Sequence, residues 1–248
     1  MVNTEHLAIL KEGAVTWIKW RASNPHAEPD LSEAYLAGAN LRGANLCNVS
    51  LRRAELSSSK LIAANLSSAN LSLANLNEAE LMEANLSQAN LTGTTLMASD
   101  LRGADLCDAN LIGAEFRGAN LKGADLSDAN ATGTGFSGAN LTGANLSNTN
   151  LSSAKLHEAE LMGAYLYRAD FSKASLCRAH LNGAYLFRAK LREAEMAGAD
   201  LRWANLTRAD LRGANLRGAN LRGANLTKAV LTGANLQGAI LPDGTAHD

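Results

Sequence analysis

Two sets of side chains that share one regular spacing could do chemistry if the fold stacks them. His157 and Cys177 could pair a general base with a thiol nucleophile. Glu160, His180 and Asp200 have the side chains of a metal site. Members of each set lie far apart in the chain, and no motif builds a cleft around them, so we favour a solvated surface ladder over either site. We therefore expect no catalytic residue, no metal and no cofactor.

A repeat in the chain explains why this spacing matters. Leucine occupies 38 of the 43 positions spaced by five from Leu31 to Leu241, and alanine stands two residues earlier at 36 of 42 positions. Such a period fits neither regular structure, because successive leucines would drift around a helix and alternate faces along a strand. The conflict disappears if the chain turns a corner once per repeat. Four repeats then close one coil, with alanine and leucine inside.

A three-sided coil of three repeats is the alternative, and the sequence favours four. The segment Tyr165-Leu-Tyr-Arg168 recurs four repeats later as Tyr185-Leu-Phe-Arg188. Eighteen of the 21 glycines occupy the second position after leucine, where a corner favours positive φ. Sorted by four repeats, one column of corners from Asn48 to Lys228 contains no glycine. This indicates a different corner chemistry on that side.

The tandem Ala-(Asn/Asp)-Leu units resemble the pentapeptide-repeat family, and the segment before them resembles the N-terminal helix of its cyanobacterial members. The resemblance implies an all-β fold, a right-handed quadrilateral parallel β-helix of about 10 coils with an N-terminal α-helical cap. We assign residues 1–30 to the capping helix and linker, 31–241 to the β-helix and 242–248 to a C-terminal tail. Leucine columns fill such a rod, so any function must lie on its outward residues.

The two ends of the rod carry separate predictions. Before the repeat, apolar residues at helical spacing predict one capping helix that contains Gly13 at a cost of about 1 kcal/mol. Asn3 or Thr4 can cap its start. At the other end, either the tail folds over the last coil or two rods meet there. The family resemblance makes a homodimer through the C-terminal coils a hypothesis.

Charge and aromatic residues are unevenly distributed along this nearly neutral chain. Residues 61–130 carry three basic and nine acidic groups, whereas residues 161–230 carry twelve and five. On the glycine-free side we predict an interaction face of aromatic and basic residues: Tyr165, Tyr167, Arg168, Tyr185, Phe187, Arg188, Arg208 and Lys228. An acidic cluster precedes it on the same side: Asp105, Asp108, Asp125 and Asp128. Arginine beside aromatic rings is typical of protein interfaces. The alternative is that these side chains cover the coil and stay solvated.

These features favour a non-enzymatic protein-protein interaction scaffold with an unidentified protein partner. The alternative, taken from the family, is a DNA mimic or a protein that interacts with the topoisomerase gyrase, but the basic later coils depart from that pattern. The acidic cluster also argues against nucleic acid as a ligand of the arginines. Three cysteines without a partner within reach, no secretory signal and no long apolar run predict a cytoplasmic protein with no membrane contact.

Overall fold

The computed structural model describes residues 3–248, of which Asp30 to Ile240 form a four-sided coil. Each side contributes one single-residue parallel bridge per turn of the coil, from Asp30 with Ser50 to Asn220 with Ile240, always between positions four repeats apart. Along most of the rod a leucine N–H donates to the carbonyl oxygen of the residue that precedes the next leucine of its column, as Leu146 does to Tyr165 at 2.7 Å. The prediction of a four-repeat coil is confirmed, and the three-repeat alternative is excluded.

The interior of the rod is filled by the leucine and alanine columns. The leucines of these columns between Leu31 and Leu221 are at most 3% exposed. Phe116 and Phe136 occupy the same column in adjacent coils, and their rings stack with centroids 5.1 Å apart. Ala131, in the same coil as Phe136, is fully buried as well. Because inward residues pack against one another from all four sides, partner binding is restricted to the outward residues and the two ends.

The corners share one backbone conformation on all four sides. The second residue after each leucine has φ between +53° and +72° from Glu33 to Gly238, and 24 of these residues are not glycine. The glycine-free column falls inside this range, at +54° to +60°. The corner on that side therefore differs from the others in its side chains and not in its backbone conformation. What distinguishes the side is an unbroken column of side chains, each held in a conformation that costs an L-residue about 1–2 kcal/mol.

Ser59 stands in a buried alanine column without a partner for its hydroxyl, and replacing it should stabilise the rod. Its side chain is 0% exposed, and its Oγ makes no hydrogen bond among the described residues. Thr134, by contrast, donates to the carbonyl oxygen of Leu111 at 2.7 Å. We expect Ser59→Ala to raise the free energy of unfolding in urea by about 1–3 kcal/mol, because a buried unsatisfied polar group is removed.

Ser99 provides the matched control for this prediction. It is 2% exposed in the same kind of column, but its hydroxyl donates to the carbonyl oxygen of Leu96 at 2.6 Å. Ser99→Ala should therefore leave stability unchanged or lower it by about 1 kcal/mol. A loss of stability in Ser59→Ala would contradict the assignment of an unsatisfied hydroxyl.

The N-terminal residues form two helices rather than the single helix predicted. Helix α1 spans Thr4–Lys11 and helix α2 spans Ala14–Ser23. Gly13 between them has φ of +112°, a conformation open to a residue that lacks Cβ, and the chain turns there. The turn allows Leu10 and Trp17 both to be buried, at 1% and 0% exposure. At 8 and 10 residues, the helices of the described chain are too short to traverse a bilayer.

The cap also supplies hydrogen bonds that a preceding coil would otherwise provide. Trp17 Nε1 donates to the carbonyl oxygen of Asn45 at 2.6 Å, and Arg21 Nη2 donates to that of Cys47 at 2.9 Å. Asn3 caps α1, as predicted, because its Oδ1 accepts the N–H groups of Glu5 and His6. The first coil is thereby closed by both apolar packing and polar contacts.

The C-terminal tail covers one side of the last coil and leaves the rest open. It folds back so that Ala246 bridges Ile240 in the antiparallel sense and Gly238 N donates to the carbonyl oxygen of His247 at 2.7 Å. The leucines of the other three sides, Leu226, Leu231 and Leu236, are only half-buried. Their N–H groups have no carbonyl partner among residues 3–248. The rod therefore ends in a partly apolar edge with free donors.

Candidate protein-interaction surface

One side of the rod carries the predicted interaction residues, and we call it the tyrosine face. It consists of three outward columns that repeat once per coil: the residues before leucine from Asn45 to Asn225, those after leucine from Cys47 to Thr227, and the corners from Asn48 to Lys228. The predicted aromatic and basic residues occupy its later coils, and the acidic cluster occupies its middle. Both groups therefore belong to one continuous surface.

In most coils an asparagine or aspartate before leucine fixes the local turn. Asn145 Oδ1 accepts the N–H of Ser147 at 3.1 Å and its hydroxyl at 2.7 Å. Asp125 Oδ1 accepts the same two groups of Ser127, at 2.8 and 2.6 Å. This turn explains the Asn/Asp of the repeat, a role that we did not predict from the sequence. Tyr165 stands where the turn-fixing residue is found elsewhere, so its coil gives up that contact for an exposed ring.

Four aromatic rings of the tyrosine face form one exposed stack. Tyr165 and Tyr185 lie in adjacent coils with ring centroids 5.1 Å apart and planes 6° from parallel. Tyr167 lies 6.2 Å from Tyr185 and meets the edge of Phe187 at 6.4 Å. The three tyrosines are 38–44% exposed, although each ring packs against its neighbours. The stack is a largely apolar platform that presents phenolic hydroxyl groups for binding.

The basic corners beside this stack have no acidic partner among the described residues. Arg168, Arg188, Arg208 and Lys228 are exposed, and none forms an ion pair within the described residues. Arg188 Cζ lies 5.3 Å from the ring centroid of Phe187, within cation–π range. Asn148, Arg168 and Arg188 line a shallow depression along this edge. The arrangement leaves guanidinium groups ready for an external carboxylate.

The acidic cluster is divided between turn-fixing and free carboxylates. Asp105 and Asp125 each accept a backbone N–H of their own turn. Asp108 and Asp128 are exposed at corners and form no ion pair within residues 3–248. A hydrogen bond from Ser127 lowers the pKa of Cys107, but burial and the Asp108 carboxylate outweigh it and raise this pKa overall. The thiol is thus poorly suited to act as a nucleophile.

Several acidic groups on the other sides of the rod are bound within the chain. Arg202 Nε donates to Asp200 Oδ1 at 2.8 Å, and its Nη2 donates to Oδ2 at 2.6 Å. These hydrogen bonds hold the pKa of Asp200 below its ordinary value against the opposing effect of burial. Arg212 Nε and Nη2 donate to the two carboxylate oxygens of Asp210 in the same way. The basic corners of the other sides, Arg53, Lys173 and Arg178, each form an ion pair, whereas those of the tyrosine face form none among the described residues.

The two chemical sets considered from the sequence lie on the outward surface of the rod. His157 Nε2 lies 3.3 Å from the carboxylate of Glu158, and the Cys177 thiol contacts the carbonyl oxygen of Glu195 at 3.7 Å. Glu160, His180 and Asp200 form bridges in successive coils as predicted. Within the described residues no group of three His, Cys, Asp or Glu side chains is placed to hold a metal ion.

Comparison with known proteins finds one matching family. The family model described as pentapeptide repeats matches residues 30–67, 59–96, 99–138, 132–168, 169–208 and 204–241. A search of curated proteins finds no match.

Two solved structures illustrate the similarity. HetL, a pentapeptide repeat protein involved in heterocyst differentiation regulation from the cyanobacterium Nostoc sp. strain PCC 7120, is 37% identical. The match covers 92% of this chain and 98% of HetL, with a TM-score of 0.48. Trypsin-treated QnrB1, a plasmid-mediated fluoroquinolone resistance protein, is 22% identical over 79% of this chain and 87% of its own, with a TM-score of 0.50.

Proposed function

The chain belongs to the pentapeptide-repeat family, whose members fold as right-handed quadrilateral β-helices, and we propose that it acts as a non-enzymatic scaffold that binds a protein partner through its tyrosine face. In this proposal residues 31–241 are the scaffold, 1–30 its cap and 242–248 its tail. The observation that carries the proposal is the exposed aromatic stack beside unpaired arginines. Aromatic rings and arginine gain most from desolvation in a packed contact.

The backbone conformation of the corners adds support. In the glycine-free column every corner keeps a side chain at positive φ, where glycine would relieve strain. Glycine fits such positions without strain and fills 18 corners of the other three sides, where 14 corners are other residues, but it fills none here. A regulatory role is part of the proposal, since HetL is described as involved in regulation of differentiation.

Two finer points belong to the same proposal. The half-buried Leu226 and Leu231 at the open C-terminal coil are a second contact, through which two rods can associate end to end. A cytoplasmic location accords with the three cysteines, which are all free thiols. DNA mimicry is disfavoured, because uncompensated arginines occupy the same face as the acidic cluster.

A comparison of captured partners tests the proposal. Tagged wild-type protein and the Tyr185→Ala/Arg188→Ala variant serve as baits in an extract of the source organism, and recovered proteins are quantified by mass spectrometry. We expect at least one protein to be recovered about tenfold less with the variant, because truncating a central aromatic and an arginine removes interface anchors.

The matched control is Tyr35→Ala/Arg52→Ala, which removes an exposed tyrosine and an exposed arginine from other sides of the rod. It should capture the same proteins as wild type. Equal recovery of every protein by all three baits would overturn the proposal. Thermal unfolding of the baits checks that these exposed substitutions leave the fold intact.

A further inference from the structure

The corner column of the tyrosine face changes sign once along the rod. In chain order its members are Asn48, Ser68, Gln88, Asp108, Asp128, Asn148, Arg168, Arg188, Arg208 and Lys228. The carboxylates and the cations of this column form no ion pairs with each other or with other described residues. Successive members are one coil apart, about 4.8 Å. The column is thus a straight ladder with an acidic stretch and a basic stretch.

A charge ladder with one acidic and one basic stretch is complementary to a second copy of itself in the opposite orientation. If two rods lie face to face and antiparallel, a two-fold axis between the coils of Asn148 and Arg168 sets each column opposite itself. The corner pairs across the contact are then Asp128 with Arg188, Asp108 with Arg208, Asn148 with Arg168 and Gln88 with Lys228. Each carboxylate meets a cation, and each remaining cation meets an amide oxygen. No like charges face each other.

The same register also matches the other two columns by size and polarity. Tyr165 lies opposite Asn145, and Tyr185 lies opposite Asp125, whose Oδ2 makes no hydrogen bond among the described residues and can accept one from the phenolic hydroxyl. In the next column the rings lie opposite serines: Tyr167 with Ser147 and Phe187 with Ser127. The aromatic stack of one rod therefore packs on the flat, small-residue coils of the other. The two stacks meet at the axis and form one apolar centre.

We propose that the partner of the tyrosine face is a second copy of this chain, bound side by side and antiparallel in this register. The inference rests on the proposed function, because it uses the same face as the contact surface. The corner pairs extend about 34 Å along the rod, and the face is only one side of a narrow coil. Its buried area is at the low end for stable complexes, so we expect a micromolar, salt-sensitive homodimer.

Charge reversal in separate chains tests both the contact and its register. Sedimentation velocity of the wild-type protein from about 1 to 500 µM should show a monomer-dimer equilibrium, weakened at high salt. Asp128→Arg and Arg188→Asp should each raise the dimer Kd at least about tenfold, because like charges then face each other twice per dimer. Mixing the two variants should restore wild-type affinity, since in the mixed dimer both contacts join opposite charges. Glu83→Arg, an exposed corner on another side, is the control and should dimerise as wild type.

Each other outcome overturns the inference. A wild-type protein that stays monomeric to about 500 µM has no such contact. If both variants dimerise as wild type, the contact lies elsewhere, for example at the C-terminal coil. If the mixture fails to recover, the register is wrong; an axis at Asn148 itself would pair Asp128 with Arg168 and give this result. The capture experiment is independent: loss of a foreign partner from the Tyr185→Ala/Arg188→Ala bait, with a monomeric wild type, would leave the proposed function standing and remove only the homodimer.

Discussion

Trp17→Ala should lower the free energy of unfolding by about 3–5 kcal/mol, the range for removing a buried tryptophan. Trp17 is 0% exposed, stacks on Trp20 with ring centroids 5.1 Å apart, and donates from Nε1 to the carbonyl oxygen of Asn45 at 2.6 Å. Its loss opens a cavity at the end of the rod and leaves that carbonyl unpaired. Because each coil contacts only its neighbours, the first coil should loosen before the rest.

Urea unfolding gives the total effect, and native-state hydrogen exchange over residues 31–50 locates it. Trp17→Phe is the matched variant, since it retains an aromatic ring but removes the donor. We expect it to lose about 1–3 kcal/mol, the range for a buried carbonyl left unsatisfied. If Trp17→Ala unfolds like wild type and the exchange of the first coil is unchanged, α2 does not act as the cap of the solenoid.

Leu166→Ala should cost about 3–5 kcal/mol, because a fully buried leucine in the middle of the rod leaves a cavity that the rigid coils on either side cannot fill. Leu166 lies between Tyr165 and Tyr167 in the chain, so the same substitution loosens the support of the aromatic stack. Chemical denaturation followed by circular dichroism measures the loss. The near-ultraviolet signal of the tyrosines should weaken as well.

Leu73→Ala provides a control with identical side-chain chemistry. Leu73 is a corner residue, 50% exposed, rather than a member of the core column. Its truncation should change stability by less than about 1 kcal/mol, as expected for a surface position. Similar losses in Leu73→Ala and Leu166→Ala would contradict the division between inward leucines and outward corners.

Most of the fold could be predicted because only one arrangement of the chain buries the repeated leucines and alanines. A leucine in every repeat, with alanine two positions before it, can be buried only if the chain turns at each repeat. The backbone conformation of the corners was harder to predict. The glycine-free column suggested a different corner, but Asn48 and its successors adopt the same positive φ as the glycines. Composition reveals where glycine is favoured; it does not reveal where strain is tolerated.

The cap shows a second limit of sequence reasoning. Helical spacing from Leu10 to Trp17 predicts one continuous helix, and the helix penalty of Gly13 is small enough to be overridden by packing. Packing favours a break instead of a continuous helix, because both apolar residues are buried with the chain turned at Gly13. The decisive contacts lie with Asn45 and Cys47, in a later part of the chain, and no local pattern encodes them.

The columns of the tyrosine face followed from the period alone. Once residues four repeats apart are stacked, Tyr165 must lie beside Tyr185 and Arg168 beside Arg188. The period could not show which charges are already bound within the chain. Arg202 forms an ion pair with Asp200 of its own turn, whereas Arg188 has no acidic partner in the described chain. That contrast depends on side-chain geometry, and it separates a solvated charge ladder from a candidate contact.

The repeat runs from Leu31 to Leu241 without a slip in register, which makes distance along each side of the rod a whole number of coils. Gene duplication or loss of one complete coil would move two surface groups apart or together by about 4.8 Å and leave the packing between coils unchanged. The spacing between the acidic and basic stretches can therefore evolve in integer steps, independently of stability. The distance between two surface groups on such a rod is therefore set by the number of coils between them, and it is inherited with that number.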